Sequence, residues 1–323
     1  NTKNNNYICN RIAIVRKQLN LQSMANYISP FTDWGFKRIF GQEYSKDLLI
    51  SFLNDLLEGE VHIKDVTFKD KELLPESKDL RGCIFDIYCE TDEGKHFIVE
   101  MQNRWVPFFI NRSICYASQT IIAQREREKT KTKQTRYDIM PVYVICVMNF
   151  LPKSESINKF RTDVALREKN SESVFSDKLR FIYLSLPFFK KKEKDCETDF
   201  DKWIYVLKHM EVLERMPFAG QKKIFERLAE VANKRNLSKK EKEQYDASFD
   251  RADDYYSVIE CYYDDGKKDG IKEGFEKGIE KGIEKGIEKG FEKGITKGAS
   301  QKGIDIAKNL MAMGMSDAQI IRA

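Results

Sequence analysis

Asp86, Glu100 and Gln102 lie in CIFDIYCETDEGKHFIVEMQ, Cys83 to Gln102, a stretch that reads as one β-hairpin. Ile84 to Thr91 is rich in β-branched and aromatic residues, Asp92-Glu93-Gly94 is a turn signal, and His96 to Gln102 alternates again. A three-residue loop ending in glycine predicts a type I turn closed by a left-handed residue. With that turn centred on Glu93, Thr91 faces Lys95 and Asp86 faces Glu100. Directly opposed side chains sit about 5 Å apart, and like charges placed there destabilise a sheet. The rest of that face is Ile84, Tyr88 and Ile98, with Gln102 one strand period beyond Glu100. Two carboxylates forced together beside apolar side chains either share a proton or hold a cation. A hard divalent ion suits such a pair, because magnesium takes one or two carboxylates and completes its shell with other oxygens. The alternative is an ordinary amphipathic hairpin with its acids on the wet side, and a one-residue slip would put the two acids on opposite faces.

The elements around the hairpin must position it. Ser29-Pro30-Phe31-Thr32-Asp33 leads into WGFKRIFG, where Thr32 or Asp33 could cap a short helix ending at Gly41. Leu48, Leu49, Phe52, Leu53, Leu56 and Leu57 form one buried helical face closed by Gly59. Val61 to Lys69 reads as a strand. After the hairpin, Trp105 to Arg127 reads as a long helix with Arg112, Tyr116 and Gln119 along one side. That stripe is suited either to holding a phosphate and a sugar or base, or to packing. Tyr137 to Phe150 and Arg180 to Leu186 are apolar, β-branched runs of the kind buried on both faces of a sheet. Strands interleaved with helices in this order predict an α/β fold, a mixed central sheet flanked by helices, over residues 29–195. Residues 1–28 read as a poorly ordered leader, and 196–265 as a helical region.

From Gly266 to Gly298 a glycine recurs every fourth residue, mostly as Gly-Ile-Glu-Lys, a low-complexity repeat over 266–300. Each glycine costs a helix about 1 kcal/mol relative to alanine, so intrinsic propensity opposes a helix here. The repeat reads as a semi-flexible spacer or self-association arm, which would make the chain a homo-oligomer, or as a solvated tract. Residues 301–323 predict a helix, a turn at Gly314, Ser316 as N-cap and the start of a second helix, half of a helix-turn-helix that stops where a recognition helix would lie.

Composition excludes some classes. No run approaches the eighteen or so apolar residues of a membrane span, and the start lacks the apolar core of a signal peptide, so the expected location is the cytoplasm with no membrane partner. A start at Asn1 is expected of a trimmed chain or a fragment. Seven widely spaced cysteines read as reduced core residues, and three histidines without ligand spacing argue against a structural zinc site. Arg125, Arg127, Lys129, Lys131, Lys133 and Arg136 gather against Glu126 and Glu128, fitting a polyanion partner or a solvated helix end.

Several of these residues together resemble the PD-(D/E)XK nuclease superfamily, in its recombination-promoting nuclease and transposase branch. They are Asp33 with Phe36-Lys37 and Phe40-Gly41, Asp86-Ile87, Glu100-Met101-Gln102, Arg112 and Tyr116, and the Pro141-Val142-Tyr143 strand entry. The resemblance implies a restriction-endonuclease-like core that hydrolyses DNA phosphodiesters with Mg2+, or with another divalent ion such as Mn2+. Carried over, it makes Asp86, Glu100, Gln102 and Asp33 catalytic. Asp86, Glu100 and the carbonyl of Met101 become metal ligands, and Arg112, Tyr116, Gln119, Arg125, Arg127 and Lys129 become DNA contacts. Two departures stand out: no proline precedes the first aspartate, and glutamine occupies the superfamily's lysine position, as Glu-x-Gln is expected to do in this branch. Asp33 reads equally as an upstream acid or as a helix cap. A DNA-binding or assembly protein with little or no cleavage, and a hydrolase acting on RNA, are the competing functional readings.

Overall fold

The computed structural model describes residues 26–69, 72–73, 83–127, 138–152, 156–171 and 173–322. The described residues fall into two compact units divided between Tyr256 and Ser257. In the first unit a six-stranded mixed sheet has the order β1-β4-β5-β6-β8-β7. These strands are β1 (Val66–Phe68), β4 (Ile87–Thr91), β5 (His96–Gln102), β6 (Val142–Met148), β7 (Arg161–Arg167) and β8 (Val174–Ser185). Two short strands, β2 (Glu72–Leu73) and β3 (Cys83–Ile84), pair separately. β5, β6 and β8 run parallel, and the pairs β1·β4, β4·β5 and β7·β8 are antiparallel. The helices are α1 (Asp33–Phe40), α2 (Lys46–Leu56), α3 (Phe109–Arg127), α4 (Asp199–His209), α5 (Lys223–Ala232), α6 (Lys239–Ala312) and α7 (Asp317–Ile320).

The hairpin keeps the register read from its turn. Ile87 pairs with Val99 and Tyr88 with Ile98, Thr91 N–H donates to the Lys95 carbonyl at 2.9 Å, and Gly94 takes φ +81°. Its first strand departs from the expectation, because β4 begins only at Ile87 and Ile84 belongs to β3, with Phe85 and Asp86 as a break between them. The strand expected from Val61 is confined to Val66–Phe68, since the Asn54 side chain, not a neighbouring strand, holds Ile63 at both its N–H and its carbonyl. The helix expected from Trp105 starts at Phe109.

Strand alternation divides the sheet into two faces. On one, Ile87, Cys89, Phe97, Val99, Ile145, Val147, Ile182 and Leu184 merge with α1, α2, α4 and α5 in a single core around Trp203, whose ring lies 5.9 Å from Phe52 and 5.2 Å from Phe225. Leu48, Leu49, Phe52, Leu53, Leu56 and Leu57 all belong to it, each contributing roughly 1.5–3 kcal/mol by burial. The other face lies under α3, which is pinned by a 2.7 Å hydrogen bond between the hydroxyls of Ser113 and Tyr183 and by Gln124 on the main chain of Met140. At the end of the expected leader, Tyr27 and Ile28 are buried, and Ile28 N–H donates to the Ala232 carbonyl.

The start of α6 is fastened to α1. Ser238 and Glu241 form a reciprocal capping box, with Ser238 N–H donating to Glu241 Oε2 and Glu241 N–H to Ser238 Oγ. Arg38 pairs with Glu241, Trp34 Nε1 donates to Gln244 Oε1 at 3.3 Å, and Ser29 N–H donates to the Tyr245 hydroxyl at 2.7 Å.

In the second unit the repeat is helical, although intrinsic propensity opposes it. The four-residue period puts Glu over Glu and Lys over Lys at i, i+4, so the pairing is local: Glu273 and Lys277, where IKEG meets FEKG, form an i, i+4 ion pair at 2.6 Å. Ile271, Phe275, Ile279, Ile283, Ile287, Phe291 and Ile295 are all exposed. Gly314 (φ +83°) ends the helix, and Ser316 stands immediately before α7 as expected. Cys89, Cys115, Cys146, Cys196 and Cys261 are free, but Cys115 and Cys261 are exposed instead of core residues. No described helix is long and apolar enough to cross a membrane.

Candidate active site

β5 carries Glu100 and Gln102 to the carboxyl end of its α3-covered face, beside the end of its parallel neighbour β6. In open α/β sheets that edge is where ligands bind. Both side chains are buried, Glu100 at 5% exposure and Gln102 at 8%. Asp86, half-buried in the bend before β4, faces Glu100 when the ladder is extended by one pair.

The two acids do not oppose each other as bare charges. Asp86 N–H donates to Glu100 Oε1 at 3.1 Å, and Met101 N–H donates to Asp86 Oδ2 at 2.9 Å. Each carboxylate therefore takes one main-chain donor from the opposite strand, and no described donor reaches its second oxygen. Burial pushes both carboxyls up, and the charge of Asp86 raises Glu100 further, well above the carboxylate range. Lys37 and Arg112 pull both back without cancelling the rise. Both shifts favour the protonated form of the pair, which a bound cation would oppose. Opposite Glu100 in β6, Cys146 has its thiol pushed well up by burial and then by the Glu100 charge, so it adds no thiolate to the site.

Arg112 Nη2 donates to Gln102 Oε1 at 2.7 Å. A guanidinium only donates, so the amide oxygen must face it and the amide NH2 is the donating end of Gln102. The guanidinium carbon lies 5.5 Å from the Phe109 ring and 5.9 Å from Tyr116, and Tyr116 meets Phe85 edge-on at 5.0 Å. Aromatic faces thus fix the cation beside the amide.

These groups line one cleft of about 510 Å³, with Asp86, Glu100, Met101 and Gln102 along one wall and Arg112 and Tyr116 along another. From α1 come Phe36 and Asp33. Thr32 is the cap of that helix, accepting from Gly35 N–H at 3.0 Å, while Asp33 is its first residue and pairs with Lys37. The cap role therefore falls to Thr32, and Asp33 lines the cleft without joining the two acids as a third clustered ligand. Gln119 is half-buried on α3, away from the cleft lining. Arg125 and Arg127 fall in the last turn of α3, but their side chains, and Lys129 altogether, lie outside the described residues. Ser248 and Arg251 of α6 also line the cleft. Sequence reading missed both, because nothing in local pattern tells which turn of a distant helix reaches a sheet edge.

The donor set can be tested against a metal. Among the described residues no three His, Cys, Asp or Glu side chains gather in one place, which does not fit zinc, an ion taking three or four protein ligands. Two carboxylates, each with an oxygen that receives no described donor, fit an ion that completes its shell with water and substrate oxygens.

A family model described as PD-(D/E)XK nuclease family transposase matches residues 30–261, from the start of α1 into α6. The chain belongs to this family. PD-(D/E)XK membership makes it a nuclease in general class, one whose relatives typically use divalent metals and whose substrate is DNA, and the mixed sheet with flanking helices is consistent with a restriction-endonuclease-like fold. Neither a search of curated proteins nor one of solved structures gives a match.

Proposed function

We propose that this PD-(D/E)XK protein is a magnesium-dependent DNA endonuclease acting in recombination or on mobile DNA. The observation that carries the reading is the carboxylate pair, Asp86 and Glu100, braced by main-chain N–H groups at the sheet edge and opening on a cleft that also holds Arg112.

Asp86 and Glu100 would hold the ion through the oxygens that take no main-chain donor, with the Met101 carbonyl as a further ligand. Magnesium, or manganese in its place, supplies positive charge against the non-bridging phosphate oxygens and lowers the pKa of an attacking water. Gln102 directs its amide NH2 to orient that water or a phosphate oxygen, and Arg112 fixes which way the amide faces. Arg112, held between two rings, presents its remaining N–H groups to the phosphate. Asp33, held by Lys37, stands with Phe36 on the α1 wall of the cleft. Tyr116, Gln119, Arg125, Arg127 and Lys129 continue the strand contact along and beyond α3.

Nicking of supercoiled plasmid tests the reading directly. The wild-type chain nicks with magnesium and not with chelator, and Asp86→Ala and Glu100→Ala each abolish the product. A folded wild type that binds DNA and leaves plasmid intact with magnesium or manganese identifies a binding protein on a nuclease fold instead.

A further inference from the structure

Arg251 projects into the cleft of the carboxylate pair from a helix that takes no part in the sheet. Its placement follows from how α6 is fastened. Glu241, Gln244, Tyr245 and Ser248 recur at i, i+3, i+4 and i+7, the spacing of one helical face. The first three of them hold Arg38, Trp34 and Ser29 respectively, and Ser248, 4% exposed, lines the cleft. At about 100° per residue Arg251 lies roughly 20° around the axis from Gln244, so it extends that anchored face by one turn. The α1 contacts that hold the helix thereby set where Arg251 stands.

The charges in the cleft show what Arg251 is available for. The other cation of its lining, Arg112, is committed to the Gln102 amide, and Asp33 already has Lys37 of its own helix as partner. Arg251 forms no ion pair with any described residue and is exposed, although Asp33, Asp86 and Glu100 line the same space. A cation that pairs with none of the three carboxylates lining the same cleft is not there to neutralise them. It suits an anion that enters with the substrate, and a guanidinium is matched in shape to two phosphate oxygens.

We propose that Arg251 is a substrate-contacting residue that holds a backbone phosphate of the bound DNA strand next to the phosphate at Asp86 and Glu100. The inference rests on the nuclease reading of the cleft. It assigns to α6 a part in gripping the strand: the sheet and α3 supply the reacting site, and α6 supplies the register of the backbone across it. A backbone contact carries no base information, so its loss weakens binding equally across sequences.

The test uses the full chain, a short fluorescein-labelled DNA duplex in chelator for binding, and supercoiled plasmid with magnesium for nicking. Wild type, Arg251→Ala, Arg251→Lys and Arg215→Ala are compared, the last removing an exposed arginine paired with Glu193 away from the cleft. For Arg251→Ala the slope of log affinity against log salt falls by about 0.9, the value for one lost duplex phosphate contact. KM for nicking rises severalfold while kcat stays within about twofold, the pattern of a uniform binding contact. Arg251→Lys keeps the slope, Arg215→Ala matches wild type, and all four melt together because Arg251 is exposed. Wild-type affinity and slope in Arg251→Ala overturn the proposal and leave the nuclease reading standing, as does a lost slope in a folded Arg251→Lys. A wild type that neither binds nor nicks DNA overturns both.

Discussion

Strand β5 shows the molecule two different environments along seven residues. Phe97 and Val99 point into the core shared with α1, α2, α4 and α5, where Phe97 stacks on Tyr143 at 4.7 Å. His96, Ile98, Glu100 and Gln102 point under α3, where His96 meets the Tyr88 hydroxyl at 3.0 Å and Glu100 holds the Asp86 amide. Both faces are buried, yet one contains apolar side chains that any close-packed core accepts, and the other contains a charge pair that folding alone would remove. Burial by itself therefore does not mark the site. What marks it is burial of groups whose ionised forms disfavour the fold.

The largest expected effect is on the apolar face. Phe97→Ala removes a fully buried ring and lowers stability by about 3–5 kcal/mol in denaturant unfolding, with nicking lost only to the extent that the chain unfolds. A nicking defect at full folding would break the contrast between the faces. On the other face Glu100→Gln gives the opposite pattern, with nicking falling on the order of a hundredfold or more and stability at neutral pH unchanged or higher.

Thermal melting against pH is the next and smaller effect. Asp86 and Glu100 have raised folded-state values, so the native chain keeps protons that the unfolded chain releases. Their contribution is fully present below the usual carboxylate range and is lost as pH rises through the pair's folded values. In chelator, melting temperature should decline across that rise, Glu100→Gln should flatten the decline, and magnesium at ten times its dissociation constant should restore about 1.4 kcal/mol. A decline unaltered in Glu100→Gln would assign it to other groups.

The smallest effect concerns the fastening of α6. Hydrogen bonds from the Ser238 main chain, with the Ser238 side chain and Arg38 adding to them, hold Glu241 down at about 2. This contribution has the opposite sign, present above the usual range and lost as pH falls through about 2. Glu241→Gln should cost about 1 kcal/mol as a weakened cap. It should also raise KM through Arg251 while leaving kcat alone, separating what grips the strand from what reacts with it.

Much of this was legible from local pattern. The seven apolar residues of β6 could only be a strand buried on both sides, and Gly94 closing a three-residue turn set the pairing that puts Asp86 opposite Glu100. The break at Phe85 and Asp86 was not legible, since β-branched and aromatic residues run straight through it and the main-chain bonds that replace the ladder come from side-chain carboxylates. Nor was the division of labour between Thr32 and Asp33, two residues of equal capping chemistry at adjacent positions, because only the path of the chain entering α1 decides which oxygen faces Gly35. Ser248 and Arg251 depended on tertiary contacts of α6 with α1 that no window of sequence contains. The helical repeat shows the same limit in reverse, since glycine propensity argues against a helix over a tract that is helical all the same.

The crossed bonds between the hairpin strands have a further consequence for how occupancy of the cleft can be observed. The amide hydrogens of Asp86 and Met101 are held by carboxylate oxygens instead of by ladder carbonyls. Their exchange with solvent deuterium is therefore tied to the charge on those two side chains. A ligand that draws electron density from the carboxylates weakens their hold on the amides, while neighbouring ladder amides such as that of Thr91 exchange as before. Two adjacent strands thus carry a built-in reporter, readable amide by amide, of what the acids are holding.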